Sequence, residues 1–244
     1  MSVTVSRQRR WRRLLAARLY AITPEAEPAE TERLVAAWLR AGVPVVQLRQ
    51  KRLPRGRLLE LARVLAAACR ATSTLLIVND HVDVALLSGA DGAHVGPDDL
   101  TVAAARGVAG DDLLLGASAS SPEAARAAER DGADYLGSGP AYATPLKTEK
   151  RVIGPAGVAE VGAAVGIPVF AIGGIERARL AELRAAGVTR VCAIRALSQV
   201  PDPETEARAW LESVAGVGGV TSPTPPRESA PHHPTPGNRT DDGR

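Results

Sequence analysis

Residues 75–100, LLIVNDHVDVALLSGADGAHVGPDDL, decide the fold. A short apolar run, Leu75-Leu76-Ile77-Val78, ends at Asn79 and Asp80, as expected of a parallel strand covered on both faces. A helical pattern follows, with Val82, Ala85 and Leu86 at i, i+3 and i+4, and Gly89 closes it with a residue that tolerates positive φ. A second strand, Gly92-Ala93-His94-Val95, leads to Asp98-Asp99. Two successive strand ends followed by carboxylates put those carboxylates on one rim of a parallel sheet, where they can hold a divalent cation.

The same unit recurs on both sides. Upstream, Leu19-Tyr20-Ala21-Ile22 and Val45-Val46-Gln47-Leu48-Arg49 read as strands, each followed by a helix, over residues 29–40 and 55–71. Downstream, strands are predicted at residues 113–117, 134–138, 168–172 and 190–194, with Pro122 at the first position of a helix and further helices near residues 155–165 and 203–214. Eight strands alternating with helical segments predict an α/β fold, a single-domain (β/α)8 TIM barrel with its active site at the C-terminal ends of the strands, and not an open sheet of five or six strands. The predicted organisation is a basic extension over residues 1–17, the barrel over 18–216 and a disordered tail over 217–244, rich in Pro, Gly, Ser and Thr.

Charge separates the extension from the body. Arg7, Arg9, Arg10, Arg12 and Arg13 face no acid within residues 1–13, and taking those five from the formal +3 leaves −2 for the rest. The pI of 9.2 thus describes an arm, read here as solvated, and the body carries no nucleic-acid footprint. No apolar run approaches the ~20 residues of a membrane span, and no signal-peptide core precedes the barrel. Cys69 and Cys192 show no disulfide or metal spacing, which fits a reducing cytoplasm. Small-molecule substrates are expected, with homo-oligomerisation left open.

The strand ends gather the chemistry. In Gln47, Arg49 and Lys51 strand parity puts an amide and two cations on one face. Taken alone, Asp80 reads as an N-cap of the next helix before it reads as a ligand, and Asp98-Asp99 reads equally as caps near Thr101. Both acids occur, however, on adjacent strand ends beside Asn79 and opposite Arg and Lys. Mg2+ takes one or two carboxylates and completes its shell with water and phosphate oxygens, so the set describes a diphosphate site. Ser118 follows strand five, and Thr144 and Lys147 lie in a long loop after strand six. Gly173-Gly174 follows strand seven and Ile194-Arg195 ends strand eight, where barrels bind phosphate through backbone N–H groups. His94, inside its strand, reads as a buried, hydrogen-bonded structural histidine.

Six ordered motifs then carry a resemblance. They are QLRQK (47–51), Asn79-Asp80, GADGAHVG (89–96) with Asp98-Asp99, Gly116-Ala117-Ser118, Gly139-Pro140 with TPLK (144–147), and AIGGI (171–175). Over residues 19 to about 214 the chain resembles the thiamine-phosphate synthases and related thiazole tautomerases. The resemblance implies that hydroxymethylpyrimidine diphosphate loses pyrophosphate through a pyrimidine cation and that the thiazole phosphate nitrogen attacks the methylene carbon, giving thiamine phosphate. By motif position it implies Asp80 and Asp99 as Mg2+ ligands and Arg49, Lys51, Asn79 and Lys147 as diphosphate contacts. It implies Gln47 and Ser118 on the pyrimidine side, and Thr144, Gly174, Ile194 and Arg195 at the thiazole phosphate; Arg49, Lys51, Lys147 and Ser118 are the catalytic set.

Three positions depart from the family pattern. Leu146 stands where a second threonine is usual, Arg195 where a serine is common, and Gln50 where a glutamate is common. Two other readings follow from the same barrel. A thiazole tautomerase is opposed by Pro140, which stands where those enzymes place a histidine. A non-catalytic phosphate-ligand sensor is opposed by the full set of carboxylates and cations.

Overall fold

The structure, a computed structural model, describes residues 2–144 and 151–215, with side chains from residue 7 onward. Eight parallel strands close into a barrel in chain order: β1 (Leu19–Ile22), β2 (Val45–Leu48), β3 (Leu75–Asn79), β4 (Gly92–Val95), β5 (Leu114–Ser118), β6 (Tyr135–Ser138), β7 (Val169–Ala171) and β8 (Val191–Ala193). β8 returns to β1 in the register Leu19↔Val191, Tyr20↔Cys192 and Ala21↔Ala193. The helices are α1 (Ser2–Ala16), α2 (Pro28–Ala41), α3 (Arg55–Ala71), α4 (Val82–Ser88), α5 (Val102–Ala109), α6 (Pro122–Arg130), α7 (Gly154–Ala163), α8 (Leu180–Ala185), α9 (Arg195–Ser198) and α10 (Pro203–Ala215). The (β/α)8 expectation holds.

Local sequence explains the boundaries. α2 begins with Pro28 at a position whose N–H would be unused and ends at Gly42, left-handed at φ 88°. α6 starts on Ser121, whose hydroxyl accepts the N–H of Ala124, with Pro122 next. In α4 the buried face holds Val82, Val84, Ala85 and Ser88, whereas Leu86, expected on that face, is exposed. The helix is only seven residues long and leans on α3, which rotates its buried stripe away from the ideal spacing.

Two apolar layers result. The outer layer lies between strands and helices and includes Trp38, Leu65, Leu76 and Trp210. The inner layer fills the barrel with Tyr20, Leu75, Leu114, Tyr135, Phe170 and Cys192, and it continues downward into Trp11, Leu14 and Ala17. The Tyr20, Tyr135 and Phe170 rings meet edge-on at 5.5–6.0 Å between centroids, a favourable quadrupole arrangement.

The solvated-arm reading of residues 1–17 is therefore corrected: α1 is a plug under the barrel floor. Trp11 and Leu14 are buried, Arg7 donates to the fully buried Asp134 at 2.6 Å, and Arg10 donates to Asp91 at 3.0 Å. Arg106 holds the second Asp134 oxygen at 2.6 Å, which also accepts the Leu115 N–H. Arg7 and Arg10 sit under the starts of β6 and β4, where the preceding turns carry Asp134 and Asp91. Leu146, Lys147 and the 217–244 tail lie outside the described residues.

Candidate active site

The C-terminal rim carries two adjoining depressions. One, of about 520 Å3, is bordered by Lys51, Asp80, His81 and Asp99 among others. The second, of about 460 Å3, runs from Ser118 past Thr144 to Gly173-Gly174 and Ile194-Arg195.

Neither acid is a helix cap. Thr101 caps α5 by accepting the Ala104 N–H, and α4 starts after His81 without any side-chain cap. That leaves both carboxylates to the rim. Asp80 is held at φ 63°, a left-handed conformation that costs a non-glycine residue about 1 kcal/mol or more and that Asp tolerates better than most. Its N–H donates to the His94 carbonyl at 2.8 Å across the β3–β4 pair. Asp99 Oδ2 accepts the Gly96 N–H at 2.8 Å. Lys51 Nζ lies 3.1 Å from Asp80 Oδ2.

The Asp80 and Asp99 carboxyl groups lie near enough on the rim to shift each other's titration in opposite directions. Burial raises the Asp80 pKa, and its neighbour Asp99 raises it further against the opposing pull of Lys51. Burial also works to raise Asp99, but its neighbour Asp80, the bond from the Gly96 N–H, and Lys51 and His81 nearby hold it below the ordinary range. Two neighbouring carboxyls cannot both ionise at ease, so Asp80 keeps its proton to higher pH than an isolated carboxyl does. The donor set fits Mg2+: hard oxygens, two carboxylates, and an open side facing the pocket where phosphate oxygens and water complete the shell. Asp80 and Asp99 would hold the ion, which would supply charge to neutralise a departing diphosphate.

A pH dependence follows. Asp80 titrates above its ordinary 3.8 in the folded state, so its protonated form stabilises the cation-free protein. That contribution is complete below 3.8 and disappears as pH rises through the folded value. Cation binding requires the proton to leave, so affinity for Mg2+ is expected to fall as pH drops through that raised value, with proton release visible calorimetrically in buffers of different ionisation enthalpy. Binding with no proton release at any acidic pH would contradict the raised titration of Asp80.

Deeper in the barrel, Gln47 is buried and donates through Nε2 to the Tyr20 hydroxyl at 2.8 Å, which lies 3.0 Å from the Tyr135 hydroxyl. Ser118, half-buried at the end of β5, is 3.1 Å from His94 Nε2. His94 is thus buried and hydrogen-bonded as expected, but its partner is a candidate site residue. Tyr20 and Tyr135 were not singled out in the sequence, because parity relates residues within one strand and only the register between strands puts both on the inward face with Gln47.

Asn79 ends β3 beside Asp80, and Arg49 lies half-buried just past β2, its N–H donating to Thr23 Oγ1 at 2.9 Å. Gln50 points away from the rim: its amide donates to Thr31 Oγ1 at 2.9 Å and to the Pro24 carbonyl at 3.4 Å. That departure from the family pattern is accommodated by the packing of α2 on β2, outside the site.

The second depression is shaped by glycine. Gly173 and Gly174 have φ 99° and 61°, and a Cβ on them would fall 2.6 Å from Pro140 Cβ and 2.5 Å from the Ala143 carbonyl oxygen. Only glycine lets this turn pack under the 140–143 segment, which follows a cis Gly139-Pro140 bond. Thr144 and Ile194 line the same cleft, and Arg195 opens the short helix α9 there. Among the described residues no carboxylate forms an ion pair with Arg195. Lys147 lies outside the described residues.

Comparison with known proteins bears on the family and the fold. The model of the thiamine monophosphate synthase family matches residues 19–197. The chain is 44% identical over 205 residues to the thiamine biosynthesis bifunctional protein ThiM/ThiE of Symbiobacterium thermophilum, covering 84% of this chain and 42% of that protein. It is 43% identical over 201 residues to the thiamine-phosphate synthase of Gloeobacter violaceus, covering 82% and 58%. The chain thus spans about half the length of these curated relatives. Among solved structures, thiamine phosphate pyrophosphorylase from Pyrococcus furiosus superposes with a TM-score of 0.76 at 34% identity, covering 85% of this chain and 99% of that one.

Proposed function

Because the chain belongs to the thiamine monophosphate synthase family, we propose that it is a Mg2+-dependent transferase joining hydroxymethylpyrimidine diphosphate to hydroxyethylthiazole phosphate. The observation that carries the reading is that Asp80, Asp99 and Lys51, the last 3.1 Å from Asp80, border one depression of the rim, while a separate cleft ends at Gly173-Gly174 and Arg195. One depression suits a cation-bound diphosphate and the other a second phosphorylated substrate.

In the proposed reaction the bond between the pyrimidine methylene and the diphosphate oxygen breaks, and its electron pair leaves with the diphosphate. The thiazole nitrogen then donates its lone pair to that methylene carbon, giving thiamine phosphate and free pyrophosphate. No covalent enzyme nucleophile is needed, so the side chains work by position and charge. Arg49, Lys51, Asn79 and Lys147 hold the departing oxygens; Gln47 and Ser118 orient the ring. Gln47 reaches this role already fixed by Tyr20, and Ser118 by His94, which reduces the ordering cost of binding. Thr144, Ile194, Arg195 and the Gly174 backbone hold the thiazole phosphate. A cytoplasmic location suits the two free, buried cysteines.

Arg195 supplies a discriminating test. A guanidinium offers a phosphate a charge-assisted, bidentate grip, stronger than the neutral bond of the family's usual serine. The phosphate is remote from the bond being made, so the grip is equal in ground and transition states. Arg195→Ala is expected to raise KM for the thiazole phosphate by roughly 10- to 100-fold, with kcat and the KM for the pyrimidine diphosphate changed only about 2-fold. Steady-state kinetics with each substrate varied in turn checks this, and unaltered KM values would withdraw Arg195 from the phosphate site. The reaction itself is tested by mixing both precursors with Mg2+ and identifying thiamine phosphate by mass spectrometry.

A further inference from the structure

We propose that Arg55 is a further ligand of the departing diphosphate, parked on Asp83 until the anion arrives; the inference rests on the reaction proposed above. Arg55 lies outside the motif at residues 47–51 that carries Arg49 and Lys51 just past β2. It is the first residue of α3, where a positive side chain faces the positive end of the helix dipole, and the first turn of α3 holds no acid to offset it. Nothing in the helix itself favours an arginine there.

Its surroundings do. The guanidinium crosses to Asp83 on α4 at 2.5 Å, and both side chains border the pocket that Lys51, Asp80 and Asp99 share. The pair is weakly held: the two side chains are 61% and 51% exposed, so water screens the attraction and two long rotamers must be fixed to make it. A diphosphate presents denser charge and paired oxygens that match the guanidinium fork. Lys51, in the loop before α3, shows the same arrangement, resting on Asp80 at 3.1 Å. Each cation on this side of the pocket therefore waits on a carboxylate that a cation-bound diphosphate can replace as partner. Asp83 is the competitor in that exchange, and removing its charge should free Arg55 for the anion.

The test uses the full chain with Arg55→Ala, Arg55→Lys and Asp83→Asn, and two readouts: KM for each substrate, and calorimetric binding of inorganic pyrophosphate with Mg2+. Arg55→Ala is expected to raise the KM for the pyrimidine diphosphate and the dissociation constant for pyrophosphate about 10-fold each, leaving the KM for the thiazole phosphate within about 2-fold. Arg55→Lys, which keeps the charge and loses the fork, should weaken pyrophosphate about 3-fold, and Asp83→Asn should tighten it about 2-fold. Both side chains are exposed, so melting temperatures should stay level and identify any variant that misfolds. Pyrophosphate binding in Arg55→Ala within 2-fold of the parent would overturn the inference and leave a surface ion pair. Failure of the parent protein to form thiamine phosphate would instead reject the proposed reaction, while the pyrophosphate titration would still decide the role of Arg55.

Discussion

Asp80→Ala and Asp99→Ala are each expected to lower kcat/KM at least ~100-fold, because each removes one of the two carboxylates that would fix the cation on the leaving diphosphate. Asp80 calls for a second variant, since its φ of 63° is a conformation that alanine adopts poorly. Asn tolerates that region and keeps a hydrogen-bonding group toward Asp99 while losing the charge. Asp80→Asn should therefore be as inactive as Asp80→Ala yet melt with the parent. Steady-state kinetics with and without a chelator checks the set, and full activity in excess chelator would remove the cation from the account. If Asp80→Asn kept its activity, Asp80 would be holding the β3–α4 turn and not an ion.

Deleting residues 1–17 is expected to destabilise the barrel severely. Trp11, Leu14 and Ala17 continue the inner apolar layer beneath Tyr20 and Leu75, and withdrawing a large side chain from such a layer costs about 2–4 kcal/mol. The deletion also takes Arg7 from Asp134, a fully buried carboxylate that would keep Arg106 alone as its cation. Breaking a buried pair by removing one partner costs about 3–5 kcal/mol. The total is comparable with the whole stability of an ordinary domain, so a fall in melting temperature of more than about 10 °C, or outright failure to fold, is expected. Circular dichroism melts measure it. An unchanged melting temperature would restore the reading of residues 1–17 as a solvated arm.

That arm shows where the sequence is legible and where it is not. β3 and β4 were read correctly to the residue, because a short buried run between turn residues has few alternatives, and the acids after them were placed on one rim by the same argument. In and just after α1 the described buried apolar residues Trp11, Leu14 and Ala17 are interleaved with arginines, so the segment looks like a solvated basic one. Its partners, Asp91 and Asp134, lie 81 and 127 positions away, and only the closed barrel brings them under it. The N-cap alternatives for Asp80 and Asp99 could not be separated from a site by sequence either, since His81 and Thr101 take the cap positions by backbone geometry. Gln50, a departure inside the basic motif, proved to face α2, a distinction that depends on which way the chain turns after Leu48.

The reading of the rim as two substrate sites around a cation makes one quantitative demand. Incubated with Mg2+ and both phosphorylated precursors, the protein is expected to release pyrophosphate and form thiamine phosphate in equal amounts, with both products disappearing when the cation is chelated. Mass spectrometry of thiamine phosphate together with an enzymatic pyrophosphate assay on the same samples gives the ratio. Pyrophosphate with no thiamine phosphate would mean that the second cleft does not hold the acceptor, and neither product, from a folded protein that binds both precursors, would contradict the account at its centre.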